Sequence, residues 1–253
     1  MTSDTSLMKF VLIGGLPVVL SALQTVHAAP PELARFSAMP AGQSISGWTA
    51  FRPAPKAGDT DYSLVRDDNR TVLKASAKAS MSGVIHPVRV DIREFPLLRW
   101  RWKVAGTVKS ADMMTRQGDD YAARVYVMFD YPPDKLSFGT RTRLKIAESV
   151  YGQKIPTAAL NYVWDNRYPV GTIQANAYTD RARMIVMQSG AARTGQWITE
   201  TRDLAADFRA AFGDDPPDIV GVALATDTDN TGETATAWYG DIEFLPRTAL
   251  EAR

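Results

Sequence analysis

The richest run of side-chain oxygens in the chain is Thr226-Asp227-Thr228-Asp229-Asn230-Thr231-Gly232-Glu233. Closely spaced oxygens on a tight turn suit a hard cation, so Asp227, Asp229 and Asn230 are candidate ligands for a structural calcium ion. The run has neither the helical flanks nor the last-position acidic residue of an EF-hand. The plainer alternative is an Asx-rich turn between two strands, whose side chains bond their own backbone.

A second constellation is Tyr162-Val163-Trp164-Asp165-Asn166-Arg167-Tyr168-Pro169-Val170-Gly171. Here Trp164 and Tyr168 could cover the apolar face of a sugar while Asp165 and Arg167 take its hydroxyls. A strand end running into a Pro-Gly loop reads much the same, because Trp and Tyr are also common core residues. Basic residues form the third. Arg99, Arg101 and Lys103 alternate with apolar residues, as do Arg141, Arg143 and Lys145. If both rows leave one sheet on the same side as Trp164, with Arg124 and Tyr126 extending the floor, that face suits an anionic glycan. Otherwise it is a solvated face with cross-strand salt bridges. Asp119-Asp120, Glu148, Asp165, Asp227 and Asp241 are the carboxylates from which an acid–base pair could come, but sequence brings no two of them together, so no catalytic residue is assigned.

Other chemistries drop out. The chain has no cysteine, which excludes disulfides, thiolate metal sites and a thiol nucleophile. His86 is the one histidine outside the N-terminal segment, so a multi-histidine metal site is unavailable. There is no Gly-x-Ser-x-Gly elbow, phosphate-cradling glycine loop or dinucleotide fingerprint. The net charge of +1 argues against a nucleic-acid partner.

The elements that must position these residues read as short strands. In residues 97–104, Leu98, Trp100, Trp102 and Val104 point one way and the basic residues the other; residues 141–147 alternate similarly. In 121–129, Tyr121, Ala123, Val125, Val127 and Phe129 form the apolar row. Further strands are expected at 71–77, 83–90, 158–164, 183–188, 196–200, 219–226 and 235–244. In the last, Thr236, Trp238, Ile242 and Phe244 are assigned one face, Tyr239, Asp241 and Glu243 the other. Leu204, Phe208 and Phe212 recur at helical spacing, with Asp203 as start and Gly213 as stop, so one short helix is expected over 203–212. The expected fold is all-β, a two-sheet antiparallel sandwich of jelly-roll type with that helix.

The N-terminus places this domain. Lys9 precedes an apolar run at 10–23, followed by Val26-His27-Ala28. These are the three zones of a secretory signal, with cleavage expected after Ala28. The run is short and broken by Gly14, Gly15 and Pro17, so no membrane span is expected in the mature form. The expected layout is a signal at 1–28, a segment entering the first strand at 29–47, one sandwich domain at 48–246 and a tail at 247–253, in a periplasmic or secreted protein.

Several stretches together resemble the exported bacterial family named domain of unknown function 3047. They include Leu97-Leu98-Arg99-Trp100-Arg101-Trp102-Lys103, Gly118-Asp119-Asp120-Tyr121-Ala122-Ala123-Arg124-Val125-Tyr126, Arg202-Asp203-Leu204-Ala205-Ala206-Asp207-Phe208 and Tyr239-Gly240-Asp241-Ile242-Glu243-Phe244. The resemblance supplies no activity. Gly47-Trp48 and the Gly240 to Phe244 strand also resemble jelly-roll carbohydrate-binding modules, which implies a structural calcium. The expected function is therefore noncatalytic glycan binding outside the cytosol. A polysaccharide lyase or glycoside hydrolase on the same fold, and a cell-envelope assembly factor, are the alternatives.

Overall fold

The computed structural model describes residues 31, 33, 35–52, 56–132, 134, 136, 139, 141, 142 and 157–250. The expected signal segment, Arg143 and Lys145 lie outside them.

Among the described residues, twelve strands form two facing sheets. They are β1 (Thr49–Phe51), β2 (Asp61–Asp67), β3 (Arg70–Lys78), β4 (Met81–Val90), β5 (Leu97–Val104), β6 (Arg124–Phe129), β7 (Ala158–Asp165), β8 (Ile173–Asn176), β9 (Thr179–Ser189), β10 (Ile198–Asp203), β11 (Ile219–Asp227) and β12 (Thr234–Leu245). The large sheet has the order β1-β4-β11-β6-β7-β9-β8 and the small sheet β10-β5-β12-β3-β2. The late strands enter the middle of each sheet: β11 lies between β4 and β6, and β12 between β3 and β5. That wrapping is of jelly-roll kind. One neighbouring pair, β7 and β9, is parallel, because the chain leaves β7, forms β8 at the sheet edge and returns between them. Every other neighbouring pair of strands is antiparallel, as the expected antiparallel sandwich requires.

The core lies between the sheets, as the alternation in β5 requires. Trp100 and Trp102 are 1% and 0% exposed, while Arg99, Arg101 and Lys103 take the outer face. The ring of Trp100 sits 5.0 Å from that of Tyr162, and Trp102 6.0 Å from Trp164. Burying each such side chain contributes roughly 1.5–3 kcal/mol or more, and the ring contacts about 0.5–1.5 kcal/mol beyond that. A two-residue turn joins β2 to β3, with Asp68 and Asn69 at φ of 50° and 60°, the positive values that such hairpins demand.

The helix α1 (Leu204–Phe212) forms where its periodicity places it. Asp203 accepts hydrogen bonds from the backbone N–H groups of Ala205 and Ala206, and Gly213 ends the helix at φ 72°. Phe208 is fully buried, 4.7 Å from the Phe129 ring.

Two readings of alternation need correction. Arg141 and Thr142 are helical, so the second basic row does not begin as a strand. In β12 the register shifts between Tyr239 and Ile242. This bulge reverses the facing of the strand: Tyr239, Ile242 and Phe244 are buried in the core, and Trp238 emerges on the outer face with Glu243.

Candidate functional site

Two clusters of chemistry-bearing side chains stand out, one at the end of the large sheet and one on the outside of the small sheet.

The first is built by the chain entering β6 and the turn leaving β11. Gly118 allows the entry: a Cβ there would lie 2.5 Å from the backbone nitrogen of Asp112. Arg124, 2% exposed, meets Asp227 edge to edge, with Nε donating to Oδ1 at 2.8 Å and Nη2 to Oδ2 at 2.6 Å. Its Nη1 donates to the Tyr126 hydroxyl at 2.9 Å, its Nη2 to the Asp119 carbonyl, and its guanidinium lies 4.2 Å over the Tyr121 ring. Asp120 is fully buried. Its carboxylate accepts from the backbone N–H groups of Asn230 and Thr231 at 3.3 and 2.6 Å and from Asn230 Nδ2 at 3.0 Å. Oxygens of Asp120, Asp227 and Asp229 lie within 4.8 Å of one another.

One guanidinium, paired with Asp227 and Asp119, is therefore the cation of a cluster that also holds the carboxylates of Asp120 and Asp229. Burial pushes the Asp227 carboxyl well above its ordinary range; Arg124 opposes this, while the charges of Asp120 and Asp119 add to it. Asp229 is raised too, by burial and then by Asp120. Asp119 Oδ1 is buried without a hydrogen-bond partner, 3.5 Å from Arg124 Nη2. Negative charge kept from water at this density calls for protons or a cation. The cluster can hold a metal ion, through hard oxygens as such an ion requires.

Asp227 and Asp229 are brought together as the sequence suggested. Asp120, far away in the chain, joins them, and no local pattern links it to Asp227. Asn230 is corrected as a ligand: its Nδ2 turns toward Asp120 and Asp229, while its Oδ1 accepts from the Tyr178 hydroxyl at 2.8 Å.

The second cluster lies outside the small sheet. Arg99 donates to Glu243 at 2.7 Å and Lys103 to Asp67 at 2.7 Å, the cross-strand pairs of the plainer alternative. Two tryptophans share this face. Lys103 Nζ sits 4.6 Å over the Trp238 ring and 5.2 Å over Trp197, and Arg101 stacks 4.2 Å over Trp197. Trp197 Nε1 donates to Asp67 at 2.7 Å. Burial opposes ionisation of Asp67, but the bonds from Lys103 and Trp197 outweigh it and hold its carboxyl below the usual range. Arg101 lies flat because residue 240 is glycine; a Cβ there would come within 2.4 Å of Arg101 Cγ. Among the described residues no carboxylate comes within ion-pair distance of Arg101. Burial, then the neighbouring charge of Arg70, lowers its guanidinium below the ordinary value.

The expected sugar-contacting set is not assembled. Trp164 is 1% exposed, with its Nε1 donating to the Gly190 carbonyl at 3.1 Å, so its indole belongs to the core. Asp165 is equally buried and binds the turn that follows, accepting from the N–H groups of Arg167 and Tyr168 at 2.7 and 2.6 Å. Arg167 is exposed and Tyr168 half-buried, both directed to Asp112. Arg124 and Tyr126 belong to the acidic cluster on the large sheet, away from the basic row of the small sheet, so they do not extend the face of Arg99, Arg101 and Lys103. Burial pushes the Tyr126 phenol up to about 12, which keeps it protonated at neutral pH.

Residues 46–243 match the model of a family described as Protein of unknown function (DUF3047). The chain belongs to this family. No curated protein sequence matches it. Among solved structures, the DUF3047 chain is similar to a family 12 xyloglucanase from Bacillus licheniformis at 10% identity, covering 79% of this chain and 94% of that one, TM-score 0.42. It is similar to the xyloglucanase domain of NopAA from Sinorhizobium fredii at 9% identity, 87% and 99% coverage, TM-score 0.42. A family 30 carbohydrate-binding module of a Clostridium thermocellum cellulosomal cellulase is similar at 12% identity, 82% and 90% coverage, TM-score 0.33. These likenesses are remote and assign no activity.

Proposed function

We propose that this protein is an exported, noncatalytic glycan-binding β-sandwich that takes an acidic saccharide on the outer face of its small sheet. The observation that carries the reading is Arg101, stacked on Trp197 beside Trp238 and without an ion pair among the described residues. A tryptophan ring offers an apolar surface for the C–H face of a sugar. A guanidinium already held flat loses little freedom when a uronate carboxylate pairs with its fork. Lys103 is neutralised by Asp67 and serves the rings rather than the ligand.

The deciding experiment is calorimetric titration with a uronate oligosaccharide and a neutral glucan. Binding of the acidic ligand, weakened about tenfold in Trp197→Ala and weakened also in Arg101→Gln, supports the reading. Absence of binding to either ligand refutes it, and release of unsaturated sugar ends transfers the protein to the lyases.

For the acidic cluster, we propose calcium as the ion, since carboxylates crowded on a loop favour a cation tolerant of irregular oxygen geometry. Cell fractionation tests export: the expected protein is periplasmic and lacks residues 1–28.

A further inference from the structure

A different pair of cations is left over at the opposite side of the core. The β9 row that carries Ile185 into the core continues toward the sheet end as Arg183 and Arg181. Each spends only its Nε on the backbone. Arg183 donates to the Ala211 carbonyl at 2.9 Å, in the last turn of α1, and Arg181 to the Thr157 carbonyl at 2.8 Å. Both guanidinium groups lie on the same ring: Cζ of Arg181 is 5.6 Å from the Phe212 centroid and Cζ of Arg183 5.1 Å, with Arg181 also 4.7 Å over Tyr131.

One further nitrogen of each fork is left over. Arg181 Nη2 and Arg183 Nη1 are shielded from water and have no hydrogen-bond partner. Among the described residues, no carboxylate makes an ion pair with either group. Asp214, the nearby acid, accepts from the Tyr131 hydroxyl at 2.6 Å. Asp180 favours the Arg181 charge without bonding to it. A buried guanidinium nitrogen without an acceptor is costly, and a second positive charge beside it raises that cost. Capping the carbonyl end of α1 explains the placement of Arg183 Nε, but it explains neither Nη group.

We propose that Arg181 and Arg183 together hold one small oxyanion of the phosphate or sulfate kind, walled by Phe212 and Tyr131. An oxyanion with several acceptor oxygens supplies both idle forks at once and cancels the repulsion between them. This site is independent of the Arg101 face.

The test is the melting temperature of the intact protein in inorganic phosphate, in sulfate and in chloride at matched ionic strength. Phosphate or sulfate is expected to raise it by several degrees along a saturating curve that chloride does not follow. The Arg181→Gln/Arg183→Gln variant, in which the amide can keep the backbone bond, loses that oxyanion-specific rise, while Arg101→Gln keeps it. Should the double variant fail to fold, Arg181→Lys and Arg183→Lys preserve charge without the fork and are expected to weaken the oxyanion affinity about tenfold each. A chloride response equal to the oxyanion response, or an undiminished response in the Arg181 and Arg183 variants, overturns the proposal.

Discussion

The Asp227 carboxylate and the Arg124 guanidinium form a two-toothed pair inside the protein, at 2.8 and 2.6 Å, with 1% and 2% of the two residues exposed. Such a pair matters most when half of it is taken away. Arg124→Met leaves Asp227 and its neighbouring carboxylates without their cation. It should lower the urea-unfolding free energy by about 3–5 kcal/mol; a loss below 1 kcal/mol would show that the pair is already compensated by something else.

Removing a cation should do similar harm. We expect a calcium chelator to lower the melting temperature by several degrees and added calcium to restore it. Asp120→Asn and Asp229→Asn should each abolish the response. A wild-type protein indifferent to the chelator ends the calcium assignment.

The same carboxyls predict a pH dependence of the metal-free protein. Asp227 and Asp229 are raised above 3.8 by burial, with Asp120 adding to both. A raised carboxyl favours the folded state while it is protonated. That contribution is complete below 3.8 and disappears as pH climbs through the raised folded value. Asp91, held at about 2 by its bonds with Arg93, and Asp67 pull in the opposite sense at lower pH. The informative quantity is therefore the difference between wild type and Asp229→Asn in chelator. The variant should gain on the wild type as pH rises from mildly acidic to neutral, and saturating calcium should erase that gain.

On the small-sheet face, Trp197→Ala and Trp238→Ala should each weaken acidic-oligosaccharide binding about tenfold, or roughly 1.4 kcal/mol, with the fold intact by circular dichroism. Arg101→Gln should reduce affinity for the acidic ligand while leaving a neutral one unchanged. Equal losses for both ligands would mean that the guanidinium acts only through packing.

Trp164→Ala belongs to another category. Its indole fills the core against Trp102, so its loss should cost about 3–5 kcal/mol of stability. Any protein that still folds should bind saccharide as the wild type does.

How far the sequence could be read depended on whether a segment meets water on one side. In β5 it does, and the basic and tryptophan rows of 97–104 separated as their alternation required. In β7 nearly every residue is buried, so no alternation distinguished Trp164 from an exposed aromatic. The caps of α1 are local chemistry, and Asp203 and Gly213 marked them. Trp238 was assigned to the wrong side because a bulge at Gly240-Asp241 reverses facing within one strand. Trp197 joins Lys103 only through the pairing of β10 with β5, and Asp120 joins Asp227 only through the packing of the β6 entry on the β11 turn. Such long-range juxtapositions leave no trace in a local window.

The interleaving of β11 and β12 has a consequence for biogenesis. Neither sheet can close until residues 219–245 are available, because β4 and β6 meet only through β11, and β3 and β5 only through β12. A polypeptide lacking that stretch holds two pairs of separated half-sheets with open edges, a slow and exposed condition. On the export route proposed above, this delay would keep the chain pliable until its late strands had passed the translocation channel.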